Sequence, residues 1–214
     1  MSQLLREIAK ILTFEIDKSF IMIVENYFYR CSKEYIDAIE THLYNEIVDV
    51  IKLLPKRQTQ SEINRDFFWL LTNKGWCFDS KPQNAANTPP VELGITGINL
   101  PSLQKVNNRA LGLSSTTLNI NWRADFAKLF NDKLVQIEIE FGTVESMFKD
   151  FCGFQIACYE HRLALGIEVV LSHPNQYFSH RKNSISGMAY FETAKNTLPA
   201  IGLDCPIWLI GMTE

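Results

Sequence analysis

Three carboxylates near the middle of the chain are spaced so that they could share one metal ion. Glu138 and Glu140 stand two positions apart in the β-branched segment Lys133–Phe141, and Asp125 begins the segment before it. Side chains alternate between the faces of a strand, so both glutamates point to one face and their apolar neighbours to the other. Adjacent carboxylates repel each other, and a divalent cation between them offsets that repulsion. An oxygen-rich site of this kind suits Mg²⁺, which activates water for attack on a phosphate.

Two other interpretations of these carboxylates stay open on the residues alone. A strand face exposed to solvent can be acidic without any function, and a Glu-x-Glu pair occurs often for that reason. Asp132 also competes with Asp125 as the first metal ligand, although its place at a turn favours aspartate for local hydrogen bonding.

The elements that must position the carboxylates alternate between strand and helix. Asn131-Asp132 predicts a tight hairpin between the strands Asp125–Phe130 and Lys133–Phe141. Apolar spacing predicts further strands over 19–28, 76–78, 165–171 and 206–212, and helices over 33–54, 61–74, 144–161 and 189–196. This alternation predicts an α/β fold in which a mixed central β-sheet is flanked by α-helices.

Composition bounds the class of protein. The 214 residues suit a single domain over 1–214, with the Pro-, Asn- and Gly-rich segment 81–101 as an internal loop. Apolar residues make up 46% of the chain and no run is long enough to span a membrane. Five scattered cysteines predict reduced thiols and a cytoplasmic location rather than a zinc site. The net charge of −3 argues mildly against nucleic acid, but a clustered positive face can coexist with an acidic remainder.

The pattern Asp-x(n)-Glu-x-(Lys/Glu/Gln) across two adjacent strands resembles the PD-(D/E)xK nuclease superfamily. More closely, the chain resembles the BstYI/BglII group of type II restriction endonucleases, from about Met22 to the C-terminus and in order. The segments that match are MIVENY (22–27), EYIDAIETHLYNEIVDVI (34–51), GWCFDS (75–80), ADFAK (124–128), DKLVQIEIEFG (132–142), GIEVVL (166–171), SGMAYFE (186–192) and PIWLIGM (206–212). Residues 1–21 fall outside this resemblance and form an N-terminal extension.

The resemblance implies a restriction-endonuclease-like core and a role for each carboxylate. Asp125 and Glu138 would ligate Mg²⁺ together with the carbonyl of Ile139, and Asp125 is preferred to Asp132 because ADFAK matches the family's Asp-Phe-x-Lys. Glu140 would orient or deprotonate the attacking water. Two features depart from the group: a hairpin about four residues longer, and Glu140 where glutamine is usual, as in the Glu-x-Glu of BamHI-like enzymes.

The resemblance also implies contacts with DNA. Thr143 and Ser146 open a helix whose backbone donors could meet phosphates or bases, although simple capping would explain the same residues. The loop 175–187 resembles the family's base-reading segment and would bring Arg181, Ser184 and Ser186 to base edges, unless it is merely solvated.

The sequence thus predicts a homodimeric, Mg²⁺-dependent type II endonuclease of a restriction-modification system. It would cut palindromic double-stranded DNA, with a GATC-like centre implied by resemblance, and leave 5′-phosphate ends. Two alternatives stay open: a structure-selective DNA repair nuclease on the same fold, and a non-enzymatic interaction protein that uses the helix 33–54 as its partner face.

Overall fold

A mixed six-stranded sheet forms the centre of the computed structural model, which describes residues 22–96, 122–160, 162–180 and 187–214. The strands lie in the order β1-β6-β5-β4-β3-β2. They are β1 Ile23–Tyr29, β2 Cys77–Phe78, β3 Phe126–Phe130, β4 Lys133–Ile139, β5 Leu163–Leu171 and β6 Ile207–Thr213. The β4–β5 and β5–β6 pairs are parallel and the other pairs antiparallel, which confirms the predicted mixed sheet.

The hairpin between β3 and β4 fixes the register of the catalytic segment. Asn131 and Asp132 both have positive φ, 48° and 67°, the backbone that a two-residue type I′ turn requires. The turn pairs Phe126 with Ile137, so Asp125 comes to lie beside Glu138. The predicted hairpin is therefore confirmed, with β4 ending at Ile139.

Six helices are described, together with a short 3-10 turn at Val91–Leu93. They are α1 Lys33–Ile39, α2 Leu43–Lys52, α3 Gln60–Asn73, α4 Val144–Tyr159, α5 Pro174–Tyr177 and α6 Phe191–Ile201. Ser32 caps α1 as its position predicts. The helix α3 begins one residue before the predicted Ser61, because Thr59 and Glu62 form a capping box.

The single long helix predicted over 33–54 is wrong. Glu40 adopts an extended backbone, with φ −155° and ψ 125°, and ends α1. The chain restarts at Leu43 as α2, and the apolar residues of both helices are buried in the same core. The helical spacing persists across the break because both short helices present their apolar sides to one sheet face.

Two apolar cores lie on opposite faces of the sheet. Residues of α1, α2 and α3 pack with Ile137 and Ile139 on one face, and α4 and α6 pack on the other. By strand alternation Glu138 points to the second face, beneath α4. The Glu138 side chain therefore lies on the face of the sheet that α4 covers.

Among the described residues, no helix is long and apolar enough to cross a bilayer.

Candidate active site

Asp125 and Glu138 are held side by side by two hydrogen bonds between backbone N–H groups and carboxylates of the β3–β4 hairpin. The Asp125 carboxylate accepts a hydrogen bond from the backbone N–H of Ile139 at 3.1 Å, and the Asp125 backbone N–H lies 3.4 Å from a carboxylate oxygen of Glu138. The other Glu138 oxygen is buried without a partner. The hairpin therefore brings together the predicted first and second carboxylates and leaves an acceptor free.

Glu140 lies directly beyond β4 and turns back on its own chain. Its backbone N–H donates to Val169 O at 2.9 Å, and its carboxylate accepts from the backbone N–H of Gly142. A side-chain carbon at Gly142 would lie 2.6 Å from that carboxylate. The glycine therefore makes room for Glu140 to reach the cleft from an irregular stretch of backbone.

Two further carboxylates join these three, and the sequence analysis missed both. Asp150 comes from α4, and Glu168 from β5, where it pairs in register with Glu138. Both are buried, and neither oxygen of Glu168 has a hydrogen-bond partner. We refer to Asp125, Glu138, Glu140, Asp150 and Glu168 as the carboxylate cluster.

The sequence held a signal for each missed residue. Asp150 lies on the apolar side of α4, three positions after Met147 and one before Phe151. Glu168 interrupts the otherwise apolar β5 segment, LALGIEVVL. An acidic residue on a buried face is costly unless it has a partner or a function, so both positions were candidates for the site.

Loss of water raises the pKa of each carboxyl group in the cluster. Asp125 has the most exposed side chain of the five. The surrounding protein nevertheless displaces enough water from its carboxyl group to raise its pKa to about 6. Burial raises the pKa of Glu140 to about 6 and that of Asp150 to about 7, and the negative charges of neighbouring carboxylates add to both shifts. Burial also raises the pKa values of Glu138 and Glu168 well above the usual range. The cluster is therefore short of positive charge.

The cluster opens into a polar cleft of about 530 Å³. Asp125, Glu138, Glu140 and Asp150 line it, and Lys149 and Arg123 contribute positive charge to its wall. Across Asp125 the cleft continues into a second hollow of about 580 Å³. The lining of that hollow is rich in amide and hydroxyl side chains: Thr59, Gln60, Ser61, Asn64, Ser80, Gln83 and Asn84.

The residues present fit a hard divalent cation. The cluster offers carboxylate oxygens, including the unpartnered Glu138 oxygen, and Mg²⁺ prefers oxygen ligands. Within the described ranges no three His, Cys, Asp or Glu side chains are arranged as a ready-made metal site. The carboxylate oxygens that Mg²⁺ prefers are thus present, but in the described residues no three of these side chains meet at one point.

The predicted DNA-contacting residues fall into two groups. Thr143 caps α4 by accepting from the Ser146 N–H at 3.3 Å, and both residues are exposed. Ser146 also lines the cleft, and its hydroxyl lies 3.4 Å from that of Thr143. Arg181, Ser184 and Ser186 lie outside the described residues. Directly after them, Gly187 contacts the start of α4, where its carbonyl oxygen accepts a hydrogen bond from the Val144 N–H at 3.0 Å.

Comparisons with known proteins found one matching family model and matching solved structures. Residues 24–212 match the family model described as restriction endonuclease BglII/BglIII. No curated protein matches the chain. A crystal structure of restriction endonuclease BglII complexed with a DNA 16-mer matches with a TM-score of 0.55 at 15% identity, covering 91% of this chain and 77% of that chain. At such low identity the likeness shows the fold, and it confirms the predicted restriction-endonuclease-like core.

Proposed function

The chain belongs to the BglII/BglIII family of restriction endonucleases, and from that premise we propose that it uses Mg²⁺ to hydrolyse both strands of a palindromic DNA duplex. Family membership makes it a type II restriction endonuclease. The metal, the palindrome and the products are our proposal, as is one endonuclease domain over 1–214. We further propose that it acts in the cytoplasm beside a DNA methyltransferase, because an unprotected host genome would be cut.

The observation that carries this proposal is the hydrogen-bonded pair Asp125 and Glu138, which lines a polar cleft. Each side chain is held by the other's strand, at 3.1 Å and 3.4 Å, rather than by a flexible loop. Two carboxylates fixed in this way offer the oxygen ligands that a hard divalent cation prefers. A purely structural role would not favour two acidic groups in contact with so little positive charge nearby.

Asp125 and Glu138 would hold the metal together with the backbone carbonyl of Ile139. The ion, when bound, supplies positive charge to the phosphate and lowers the pKa of water. The chain's own part is to fix two carboxylates side by side, which the β3–β4 hairpin does through its register.

Glu140 is proposed to orient the attacking water or to accept its proton. Its carboxylate lines the same cleft as Asp125 and Glu138 but is anchored separately, on the backbone of Gly142. Attack by water on the phosphorus, with the bond to the 3′ oxygen breaking, leaves the predicted 5′-phosphate end. Glu140 as the base is consistent with a carboxyl whose pKa lies close to working pH.

Positive side chains at the cleft are proposed to meet the DNA backbone. Lys149 and Arg123 both line the cleft, and Ser146 adds a hydroxyl at the N-terminal turn of α4. Phosphate contacts of this kind position a duplex without reading its sequence. Arg181, Ser184 and Ser186 are proposed to read base edges, as the family resemblance implies, and backbone donors at Thr143 and Ser146 to meet phosphates or bases.

Incubation of the purified protein with supercoiled plasmid and Mg²⁺ tests the function. We expect discrete fragments whose ends carry 5′ phosphates, and no cutting when a chelator exceeds the metal. Nicks confined to branched or mismatched substrates would instead support a repair nuclease. Cleavage that persists in excess chelator would rule out the metal.

A further inference from the structure

Asp150 stands opposite the catalytic hairpin on a different element. It is the carboxylate that α4 contributes to the cluster, it is only 9% exposed, and it lines the cleft. Glu140 lines the same cleft, and after burial its negative charge is the largest influence that raises the pKa of Asp150. A helix packed across the sheet therefore reaches the one carboxylate of the Glu-x-Glu pair that lies outside a regular strand.

Trp122 fixes Asp150 from the other side. The indole Nε1–H donates to an Asp150 carboxylate oxygen at 3.3 Å, and the Trp122 ring packs edge-on against Phe154 at 6.0 Å between ring centroids. The ring lies directly against the α4 backbone at Gly153, where any side-chain carbon would overlap it. Close approach at this glycine is what lets the indole reach the carboxylate one turn earlier.

We propose that Asp150 is a positioning residue for the cleavage reaction: held by Trp122, it fixes the direction in which the Glu140 carboxylate points. This inference rests on the proposed function, because it assigns Asp150 to the same cleft. Glu140 follows the end of β4 and has three rotatable side-chain bonds, so the Gly142 contact alone leaves its carboxylate free to swing. A second anchor on α4 restricts that swing.

The expected effect is on turnover. Displacement of a reacting group by about 1 Å can cost on the order of 100-fold in rate, so Asp150→Ala should lower the single-turnover cleavage rate by about 10- to 100-fold. The dissociation constant for the DNA, measured without metal, should change by less than about threefold. Asp150→Asn should lose less than the alanine variant, because its amide oxygen can accept from Trp122 and its NH₂ can donate to Glu140.

A double-mutant cycle separates positioning from a merely structural role. If Asp150 acts through Glu140, Asp150→Ala should add little to the loss already caused by Glu140→Gln in single-turnover experiments. The same additional factor in both backgrounds would overturn the inference. Glu192→Ala, an exposed acidic residue in the first turn of α6, is the control for removing a helical carboxylate.

Two variants test the contact between Trp122 and Asp150 without changing a carboxylate. Trp122→Phe keeps the aromatic packing and removes the donor, and Gly153→Ala displaces the ring while favouring the helix. Both should lower the cleavage rate, with the loss again absent in the Glu140→Gln background. Normal rates in both variants would overturn the inference even if Asp150→Ala fails to fold. Failure of the proposed function is distinct, because the wild-type protein would then cut no DNA at all.

Discussion

Asp125 and Asp132 flank strand β3, and only Asp125 makes contact with Glu138. Five residues of strand separate them, roughly 17 Å of extended chain. Asp132 is exposed and has the positive φ of a turn residue, 67°. The geometry favours Asp125 as the first metal ligand, as the sequence predicts.

Asp125→Asn should reduce DNA cleavage by at least about 100-fold, because a neutral amide both weakens metal binding and alters the charge at the phosphate. Asp132→Asn is the matched control, since asparagine tolerates the same left-handed backbone, and it should cut normally. Rates on plasmid at saturating Mg²⁺ decide between them. A dead Asp132 variant beside an active Asp125 variant would reverse the assignment.

Glu140→Gln should lose far more turnover than DNA affinity if the carboxylate acts on water. The required form is the anion, so wild-type activity should fall as pH drops through about 6, where burial places the Glu140 pKa. Single-turnover rates and DNA affinity, measured from pH 5 to 8, check both statements. Near-normal cleavage by the glutamine variant would reduce Glu140 to a spacer or ligand.

The sequence predicted the carboxylates that one hairpin brings together and missed those from elsewhere. Asp125, Glu138 and Glu140 are close in sequence, so strand alternation and a two-residue turn suffice to place them. Asp150 reaches the cleft from α4, and Glu168 lies buried on β5 beside Glu138. Their proximity depends on how the helix packs on the sheet, which periodicity does not specify.

At the scale of elements, β4, β5 and α4 enclose a layer of acidic groups that the fold must accommodate. Glu168 is fully buried on β5, directly beside Glu138 on β4. Placing two such groups side by side costs stability whenever both are ionised. The layer is therefore a stability cost that the catalytic cleft imposes on its scaffold.

Glu168→Gln should stabilise the metal-free protein increasingly as pH rises. Burial raises the folded-state pKa of Glu168, so the folded protein holds a proton that the unfolded chain releases above about 4.5. The wild type thus loses stability as pH rises from that value through the raised pKa, and a non-titrating glutamine does not. Urea unfolding in chelator at pH 5 and pH 8 measures the difference. A variant less stable than wild type at pH 8 would contradict the prediction.

The predicted helix over 33–54 shows where periodicity alone misleads at this scale. The spacing of Ile36, Ile39, Leu43 and Ile47 is helical throughout, yet Glu40 leaves the helical region between them. Two short helices packed on one sheet face show the same spacing of apolar residues as one long helix. Only the backbone at the break distinguishes the two.

For the whole molecule, the fold limits which surfaces a second copy could use. The apolar stripe of α1 and α2 is buried in the protein's own core, so it is not available as the partner face that the sequence suggested. The outer face of α4 differs: Phe148 is 44% exposed and Tyr159 is 80% exposed, with Cys152 exposed between them. Three residues in helical register thus leave an apolar strip open.

We predict a two-fold dimer that joins these α4 strips and reads a short palindrome. Each chain carries one catalytic hairpin, so cutting both strands together requires two copies, and a two-fold protein requires a two-fold site. Phe148→Asp and Tyr159→Asp should each shift the protein towards monomer in sedimentation and leave nicked rather than linear plasmid. Val91→Asp, which alters a 90% exposed apolar residue on the 3-10 turn, is the control and should remain dimeric. Sequencing of the cut ends then tests the GATC-like centre and the four-base 5′ overhang that resemblance implies. A wild-type monomer at working concentration, or 3′ overhangs, would show that this chain pairs its active sites in another way.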